Sequence, residues 1–555
     1  MRTRLLAALA ASTALLLSVT ANSATATPFG TGHPTAGTGT GAEHVRVRAE
    51  HTLAQAKALF TPKSDLFARQ MTAAPSTHDA TMVLRNLRLR MDDLSPADRR
   101  TAHQILARPT DAVDDGAGHA YTVPEATPVC NDTPSFCVHY VTSGSDRVPA
   151  ADVDGNGVPD QVDTTVATMK KVWSTEVDQM GYHQPLDDST SPNPTTDPSS
   201  NPNGGLDIYL EDLGNNNLYG YCTSDDPDLQ ARQVSAYCVL DNDYAASQYG
   251  KTPTPQQDLE VTLAHEFFHA VQFSYDIGED RFFMEGTAAW MEDEVYPSIN
   301  DNLQYLPQSP LAYPMIPLDF YQDGTTASDT YLPYGSWIWW KFLSEWVKPG
   351  KSAVDPTIIR DIWTKAKGST YSVQALKRVL ATRHKNLTDA FTTFEVWNRN
   401  PARFYRDGKL YPAARLGLKR TLTKARPGTA TIAAPLAHLA GGTARFTPGT
   451  SLAGAWRLRI HLNMPDLVRG SAAAVTVHRR DGSQYTRFVK LNRSGDASPT
   501  AVFGRGKVKY VELTLVNAST RYTCHRGFVY ACNGKALDGG LNNPLRTLFS
   551  VKAVR

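Results

Sequence analysis

Residues 265–273 read HEFFHAVQF, and the surrounding stretch, 256–275, contains neither proline nor glycine. Its large apolar side chains recur at every fourth position, at Leu259, Leu263, Phe267 and Val271. This spacing predicts one uninterrupted amphipathic helix whose apolar face packs into a core. Because residues four apart lie one turn apart on the same helix face, His265 and His269 point in one direction from a rigid element.

Two imidazoles at this spacing can bind one metal ion. Glu266 lies between them in sequence but is rotated away from their face, so its carboxylate can accept a hydrogen bond from a metal-bound water without binding the metal. Zinc lowers the pKa of bound water to about 7 and polarises a carbonyl group. The motif therefore predicts a zinc (Zn²⁺) centre with Glu266 as general base.

A catalytic zinc centre requires a third protein ligand and an open fourth position. Residues 282–296 read FFMEGTAAWMEDEVY, and Glu285 follows His269 by sixteen positions, 285 minus 269. The loop expected at 276–280 lets a second helix return beside the first, and the small residues after Glu285 permit a close approach. We therefore predict His265, His269 and Glu285 as the zinc ligands.

Other assignments of the motif are open or disfavoured. Glu292 lies seven residues after Glu285 and would share its helix face, so it is either a rival ligand or an outer partner of the site. The metzincin pattern needs a glycine and a third histidine, where this chain has Gln272 and Tyr275. The sequence contains no G-x-S-x-G, so a serine hydrolase has no nucleophile motif to support it.

HExxH followed by an E-G-x-A segment on a second helix resembles the gluzincin metallopeptidases, the clan of thermolysin and the zinc aminopeptidases. More narrowly, HEFFHAVQF with MEGTAAWMEDEVY resembles a group of predicted secreted bacterial metalloproteases. The resemblance covers roughly residues 130–400. It implies that His265, His269 and Glu285 are ligands and that Glu266 is the base. The gap between His269 and Glu285 is slightly shorter than in thermolysin, which keeps the ligand choice open.

The resemblance also implies a hydrogen-bond donor to the oxyanion of the tetrahedral intermediate, because gluzincins commonly supply one from a tyrosine or histidine. Residues 331–335 read YLPYG and precede a tryptophan-rich segment. Tyr331 and Tyr334 are therefore both candidate catalytic donors. Ordinary aromatic packing is the alternative for either residue.

Residues 152–163 read DVDGNGVPDQVD, which follows the spacing of an EF-hand-like calcium loop. Gly157 occupies the sharp turn and Val158 would offer its carbonyl oxygen. The side-chain ligands would be Asp152, Asp154, Asn156, Asp160 and Asp163. The loop ends in an aspartate instead of the usual glutamate and contains Pro159. It predicts a structural calcium ion (Ca²⁺), the alternative being an acidic turn without metal.

The N-terminus and the cysteines predict export. Arg2 and Arg4 precede a short apolar run, and Ala24-Thr25-Ala26 offers a cleavage site, so residues 1–26 read as a signal peptide. No apolar run reaches the roughly 20 residues that span a bilayer, so we expect no membrane anchor. The six cysteines fall in local pairs that predict three disulfides, Cys130–Cys137, Cys222–Cys238 and Cys524–Cys532.

The expected fold class is α+β. Residues 27–120 are predicted as a flexible linker (27–45) and a helical pro-region, which is either a propeptide or a permanent subdomain. Residues 121–425 alternate strands and helices and are expected to form a zincin-like peptidase domain containing the calcium loop. Residues 428–555 alternate apolar and polar side chains, which predicts an antiparallel β-sandwich as an accessory domain.

The charge balance excludes some partners. Lys and Arg number 56 against 55 Asp and Glu, so no nucleic acid or membrane surface is expected to bind through bulk charge. The leading hypothesis is a secreted, monomeric zinc peptidase that acts on a protein or peptide substrate. The alternative is a non-catalytic extracellular binding protein on the same scaffold. The intact Glu266 argues against it, since ligands alone suffice for a structural metal.

Overall fold

The structure is a computed structural model, and it separates into two units, Met1–Val45 and Arg46–Arg555. It describes residues 41–60, 80–111, 119–188, 204–226, 229, 232–320, 331–347, 354–520, 525–526, 530–531 and 545–555. The predicted signal peptide, most of the predicted linker and the pair Cys524 and Cys532 lie outside the described residues. The chain has an α+β fold with several sheets.

The helices and strands of the described residues are bounded as follows. The α-helices are α1 (Gly41–Leu59), α2 (Ala80–Leu89), α3 (Pro96–Ile105), α4 (Asp160–Trp173), α5 (Ala246–Tyr249), α6 (Pro255–Asp276), α7 (Arg281–Val295), α8 (Tyr331–Gly335), α9 (Trp337–Trp346), α10 (Thr357–Lys365), α11 (Ser372–Thr382), α12 (Leu387–Asn398) and α13 (Pro401–Phe404). A π-helical turn follows α4 at Ser174–Gln179, and 3-10 helices lie at Met91–Asp93, Gly214–Asn216, Asp301–Gln308 and Leu467–Arg469. The strands are β1 (Val129–Asp132), β2 (Ser135–His139), β3 (Leu206–Glu211), β4 (Gly220–Thr223), β5 (Tyr237–Asp241), β6 (Leu418–Leu422), β7 (Ile432–Leu436), β8 (Ala440–Pro448), β9 (Arg457–Asn463), β10 (Ser471–Arg479), β11 (Gln484–Phe488), β12 (Asp496–Ala497), β13 (Thr500–Val502), β14 (Val508–Asn517), β15 (His525–Arg526), β16 (Tyr530–Ala531) and β17 (Leu545–Val554).

A five-stranded sheet in the order β1-β2-β3-β5-β4 supports the candidate site. Strands β2, β3 and β5 run parallel, and β1 and β4 are antiparallel strands at the two edges. Successive side chains of a strand point to opposite faces. Ile208 and Leu210 therefore join the main core with α4 and α6, whereas Tyr209, Tyr237 and Val239 pack against the N-terminal helices. Both faces of the sheet are covered.

Helix α6 carries HEFFH and begins with a capping box. Thr254 accepts a hydrogen bond from the Gln257 backbone, and the Gln257 side chain accepts one from the Thr254 backbone, so two orphan N–H groups of the first turn are satisfied. Pro255 occupies the first helical position, where its missing N–H costs nothing. Asp280 caps α7 by accepting a hydrogen bond from the backbone N–H of Phe282.

The first helix begins earlier than predicted. The linker expected at 27–45 ends early, because α1 already begins at Gly41. Farther along the chain, residues 357–382 form two helices, α10 and α11. The chain turns between them at Gly368, whose φ of +64° is a left-handed conformation that favours glycine.

Two further five-stranded sheets and one two-stranded sheet, β15 with β16, occupy residues 418–554. One of the five-stranded sheets has the order β11-β10-β14-β8-β6, and the other has the order β12-β9-β17-β7 with β13 also beside β9. Apolar side chains of both sheets form one core that includes Phe446, Ile460 and Leu513. The pairing departs from the predicted antiparallel pattern at one place, since β6 runs parallel to β8.

A buried carboxylate joins these sheets to α12. Glu512 on β14 accepts hydrogen bonds from Arg399 at 2.9 Å and from Arg445 at 2.7 Å. Although burial opposes the shift, His478 and these two arginines hold the pKa of the Glu512 carboxyl at about 2. The C-terminal sheets therefore pack on the helical region through a charged contact as well as through apolar side chains.

Candidate metal centre

Two packed helices bring the predicted ligands together. Helix α6 supplies His265 and His269, and α7 supplies Glu285. Oε2 of Glu285 lies 3.3 Å from Nε2 of His265 and 3.6 Å from Nε2 of His269. One ligand atom of each residue lies within 4.8 Å of the other two, and all three side chains are buried. The spacing of sixteen residues is therefore compatible with a shared site.

The donor atoms of this group are poorly satisfied by the protein itself. Nε2 of His269 and Oε1 of Glu285 are buried and make no hydrogen bond. Buried polar atoms are normally hydrogen-bonded, and each exception needs an explanation. Two imidazole nitrogens and a carboxylate are a donor set that zinc accepts in catalytic sites. The residues present thus fit a bound zinc ion, which would occupy these unpaired atoms.

Outer partners fix the orientation of both imidazoles. Nδ1 of His265 lies 2.7 Å from Oε1 of Glu292, and Nδ1 of His269 donates to Oε1 of Gln272 at 2.8 Å. The Gln272 amide is itself anchored, since it donates to the Met284 carbonyl at 2.9 Å. Glu292 therefore contacts the nitrogen of His265 that faces away from Glu285, as expected of a residue that orients a ligand.

Gln272, which mismatches the metzincin motif, contacts an imidazole of the candidate site. The available signal was its spacing, because a residue three positions after His269 lies on the same helix face. A polar side chain there can reach the outer imidazole nitrogen, and its amide can also reach the neighbouring helix. In the structure it does both, with Thr287 as a further acceptor at 3.0 Å.

The charges in the group are strongly coupled. Although burial opposes the shift, the imidazoles of His265 and His269 hold the pKa of the Glu285 carboxyl well below its usual range. Burial also disfavours the charged form of His265, but its contacts with Glu285 and Glu292 raise its pKa well above the usual value. Burial raises the pKa of Glu292 to about 8. The two imidazoles therefore stabilise the charged form of the Glu285 carboxylate.

Glu266 lies beside this group on α6. Its carboxylate accepts a hydrogen bond from the Thr81 hydroxyl at 2.8 Å, and only 6% of its surface is exposed. A cavity of about 30 Å³ opens onto His265 and Glu266, with room for about two water molecules. Its other lining residues include Gly220, Asp258, Thr262, Asp301 and Tyr305.

Of the two candidate tyrosines, the structure describes the side-chain contacts of Tyr334 only. The Tyr334 ring is fully buried and stacks on the His265 ring, with 5.6 Å between centroids and 15° between planes. Tyr334 also lies against Tyr305, with 5.2 Å between ring centroids. The side chain of Tyr331 lies outside the described part of the structure. Tyr334 is thus adjacent to the candidate ligand His265, and its role as an oxyanion donor stays a prediction.

The predicted calcium loop forms a tight acidic turn ahead of α4. Asp152 accepts hydrogen bonds from the backbone N–H groups of Gly155, Asn156 and Gly157, and Gly157 has the left-handed φ of +86° that the sharp turn requires. The Asn156 amide donates to Asp163 at 3.1 Å.

The remaining predicted ligands of the loop are Asp154, Val158 and Asp160. Asp154 accepts a hydrogen bond from the Asn156 backbone N–H, and Asp160 accepts one from the Val153 backbone N–H. Val158 donates its backbone N–H to the Asn156 side chain. Within the described residues, the loop is not among the groups whose acidic, His or Cys ligand atoms all lie within 4.8 Å. Calcium binding stays a prediction.

A second cluster of ligand-type residues has another explanation. Cys137, His139 and Asp207 are close together and buried. Cys137 is joined to Cys130 in a disulfide, so its sulfur is not a free thiolate ligand. His139 lies between Asp207 and Glu125, at 3.1 Å from an oxygen of each. Burial opposes a rise in the pKa of His139, but these carboxylates raise it to about 9, so the cluster is a buried ion pair.

Two of the three predicted disulfides, Cys130–Cys137 and Cys222–Cys238, are present in the described residues and are compatible with an oxidising environment. Among the described helices, none combines the length and the apolar character that crossing a membrane would need. No family model matches the chain, and no curated protein is significantly similar to it.

Proposed function

We propose that the protein is a secreted zinc-dependent metallopeptidase of the gluzincin type. His265, His269 and Glu285 would hold the zinc ion, and Glu266 would act as the general base. The observation that carries the proposal is the buried group of two imidazoles and one carboxylate, in which Nε2 of His269 and Oε1 of Glu285 make no hydrogen bond. The carboxylate of Glu266 lies one residue along the same helix from His265.

Zinc, when bound, would polarise the substrate carbonyl and acidify water at its open position. The chain's own residues supply the proton transfers. Glu266 borders the small cavity beside His265, where a water molecule can lie within reach of its carboxylate. Glu266 would take a proton from that water as it attacks the peptide carbonyl, and would then deliver the proton to the leaving amine.

The outer residues would keep the ligand set in a fixed geometry. Glu292 and Gln272 each contact the outer nitrogen of one imidazole, so neither ring can rotate without losing a short contact. Tyr334 packs flat against His265 and is our candidate for the hydrogen-bond donor to the oxyanion. The proposal thus assigns binding, orientation and proton transfer to separate side chains.

The remaining parts of the chain fit an extracellular enzyme. Two disulfides favour export, the loop at 152–163 would bind structural calcium, and residues 428–555 would form an accessory unit. We expect a monomer that acts on protein or peptide substrates. An arrangement with ligands alone would suit the alternative, a binding protein, but Glu266 is retained beside the ligands.

The test is metal removal and restoration on the full chain. The wild-type protein should lose casein hydrolysis when zinc is chelated and regain it when one equivalent of zinc is added back. His269→Ala should hold much less zinc and should not be restored by the same addition. If the wild type and every variant with an intact ligand set bind zinc but none hydrolyses casein or any other peptide, the binding-protein alternative replaces this proposal.

A further inference from the structure

One side chain of the N-terminal helices contacts the candidate base directly. Thr81 lies in the first turn of α2 and is buried. Its hydroxyl donates to Oε2 of Glu266 at 2.8 Å and accepts a hydrogen bond from the backbone N–H of Cys222 at 3.0 Å. A single hydroxyl group of α2 therefore connects the catalytic helix α6 to strand β4.

Strand β4 is an edge strand of the five-stranded sheet β1-β2-β3-β5-β4, so one of its sides has no neighbouring strand. The backbone N–H of Cys222 lies on that side. Cys222 lies directly opposite Cys238 of β5, with 4.1 Å between their Cα atoms. Such a short separation marks a non-hydrogen-bonded pair of an antiparallel ladder, so the Cys222 N–H points away from β5. An extended peptide that joins a sheet edge uses outward N–H groups of this kind. In this structure the Cys222 N–H already donates to the Thr81 hydroxyl.

A second contact fastens α2 to the helix that carries Glu285. Arg85, one turn after Thr81, is fully buried. Its guanidinium donates to the carbonyl of Glu279 and to the sulfur of Met284, each at 2.9 Å. Met284 immediately precedes Glu285. Helix α2 thus contacts α6 and α7, which carry the candidate ligands, and β4, which borders the cavity beside them.

We propose that α2 is an internal inhibitor that holds this protein in a closed state. Thr81 would engage the base and would fill the edge of β4 where the backbone of a peptide substrate would bind. The inference rests on the proposed function, because it assigns Glu266 to catalysis. The chain beyond α3 has its own contact with the sheet, since the Tyr237 hydroxyl donates to the Leu106 carbonyl at 3.0 Å.

The experiment uses the full chain and two variants of Thr81. Thr81→Glu sets a carboxylate against Glu266 and should expel α2, whereas Thr81→Val keeps the shape of the side chain but removes both hydrogen bonds. Ala97→Glu adds the same carboxylate at an exposed position in the first turn of α3 and is the matched control. Two quantities are measured: the rate of casein hydrolysis and the affinity for a leucyl-dipeptide hydroxamate.

We expect Thr81→Glu to raise both the rate and the hydroxamate affinity by at least about tenfold, because it removes a hydrogen bond to a charged group and adds repulsion. Thr81→Val should fall between Thr81→Glu and the wild type, and Ala97→Glu should match the wild type. If Thr81→Glu does not fold, Thr81→Val against wild type gives the comparison.

The outcomes separate the two proposals. Equal rates and equal hydroxamate affinities in the wild type and the Thr81 variants, with casein hydrolysed by all of them, would overturn the inhibitor and leave the peptidase standing. If every variant binds zinc but none hydrolyses casein or binds the hydroxamate, the proposed function fails and the inhibitor fails with it.

Discussion

Glu292 is the residue whose substitution best separates the two possible ligand sets. Its carboxylate lies 2.7 Å from Nδ1 of His265, the nitrogen that faces away from the candidate metal position. We predict that Glu292→Gln weakens zinc binding without abolishing it. Glutamine keeps an oxygen that can accept from His265 but removes the charge, so the loss is at most that of a hydrogen bond to a charged group, about 1.5–3 kcal/mol or about a 10- to 150-fold change in affinity. Substitutions of such outer partners typically cost about 10- to 100-fold, in the same range.

Glu285→Gln should weaken zinc binding more than Glu292→Gln, because Glu285 lies between both imidazoles and would be a ligand itself. The assay is competition for zinc against a chromophoric chelator. Glu260→Gln is the matched control, since Glu260 lies on α6, the helix of the two histidines, and its side chain accepts a hydrogen bond from the exposed Gln256 at 3.4 Å. A greater loss of zinc affinity in Glu292→Gln than in Glu285→Gln would refute this assignment and make Glu292 the third ligand.

Three further predictions concern the frame of the site and its stability. Gly286→Ala should destabilise the protein by about 1–3 kcal/mol in urea unfolding, because a Cβ there would clash with the Ser336 hydroxyl and would lie 2.6 Å from the indole nitrogen of Trp340. Gly506→Ala is the control, since a Cβ there meets open space and should leave the stability unchanged. The pKa of Glu512 is held at about 2 against its usual 4.5, so the stability that this carboxylate contributes is present above pH 4.5 and is lost as the pH falls toward 2. Glu512→Gln should therefore flatten the dependence of unfolding free energy on pH between 4.5 and 2. An unchanged pH dependence would contradict the contribution of the Glu512 ion pairs. Replacing Cys222 and Cys238 by serine opens a loop of sequence separation 16 and should cost about 3 kcal/mol of unfolding free energy, a value that equal stabilities of the two proteins would contradict.

Periodicity and local motifs were sufficient for the elements of the site. The four-residue repeat and the absence of glycine or proline predicted a helix over 256–275, and the structure has it at Pro255–Asp276. The spacing of His265, His269 and Glu285 predicted that they meet, and their ligand atoms lie within 4.8 Å of one another. Such short-range patterns carry this information because helix geometry fixes which residues share a face.

Long-range contacts were not accessible in the same way. Nothing in the sequence near Thr81 indicates that its hydroxyl meets Glu266, 185 positions later. The parallel pairing of β6 with β8 was missed for a related reason, since alternation of apolar residues specifies a strand but not the direction of its neighbour. The role of Gln272 needed both its helix face and the position of α7, of which the sequence supplied only the first.

Glu266 is proposed to activate water at a zinc ion held by His265, His269 and Glu285. A comparison of the purified wild type with Glu266→Gln, which keeps the size of the side chain but removes the base, tests this role through zinc content and casein hydrolysis. We expect one zinc ion in each protein, hydrolysis by the wild type and none by the variant. Hydrolysis at equal rates in both proteins, or no zinc in the wild type, would contradict it.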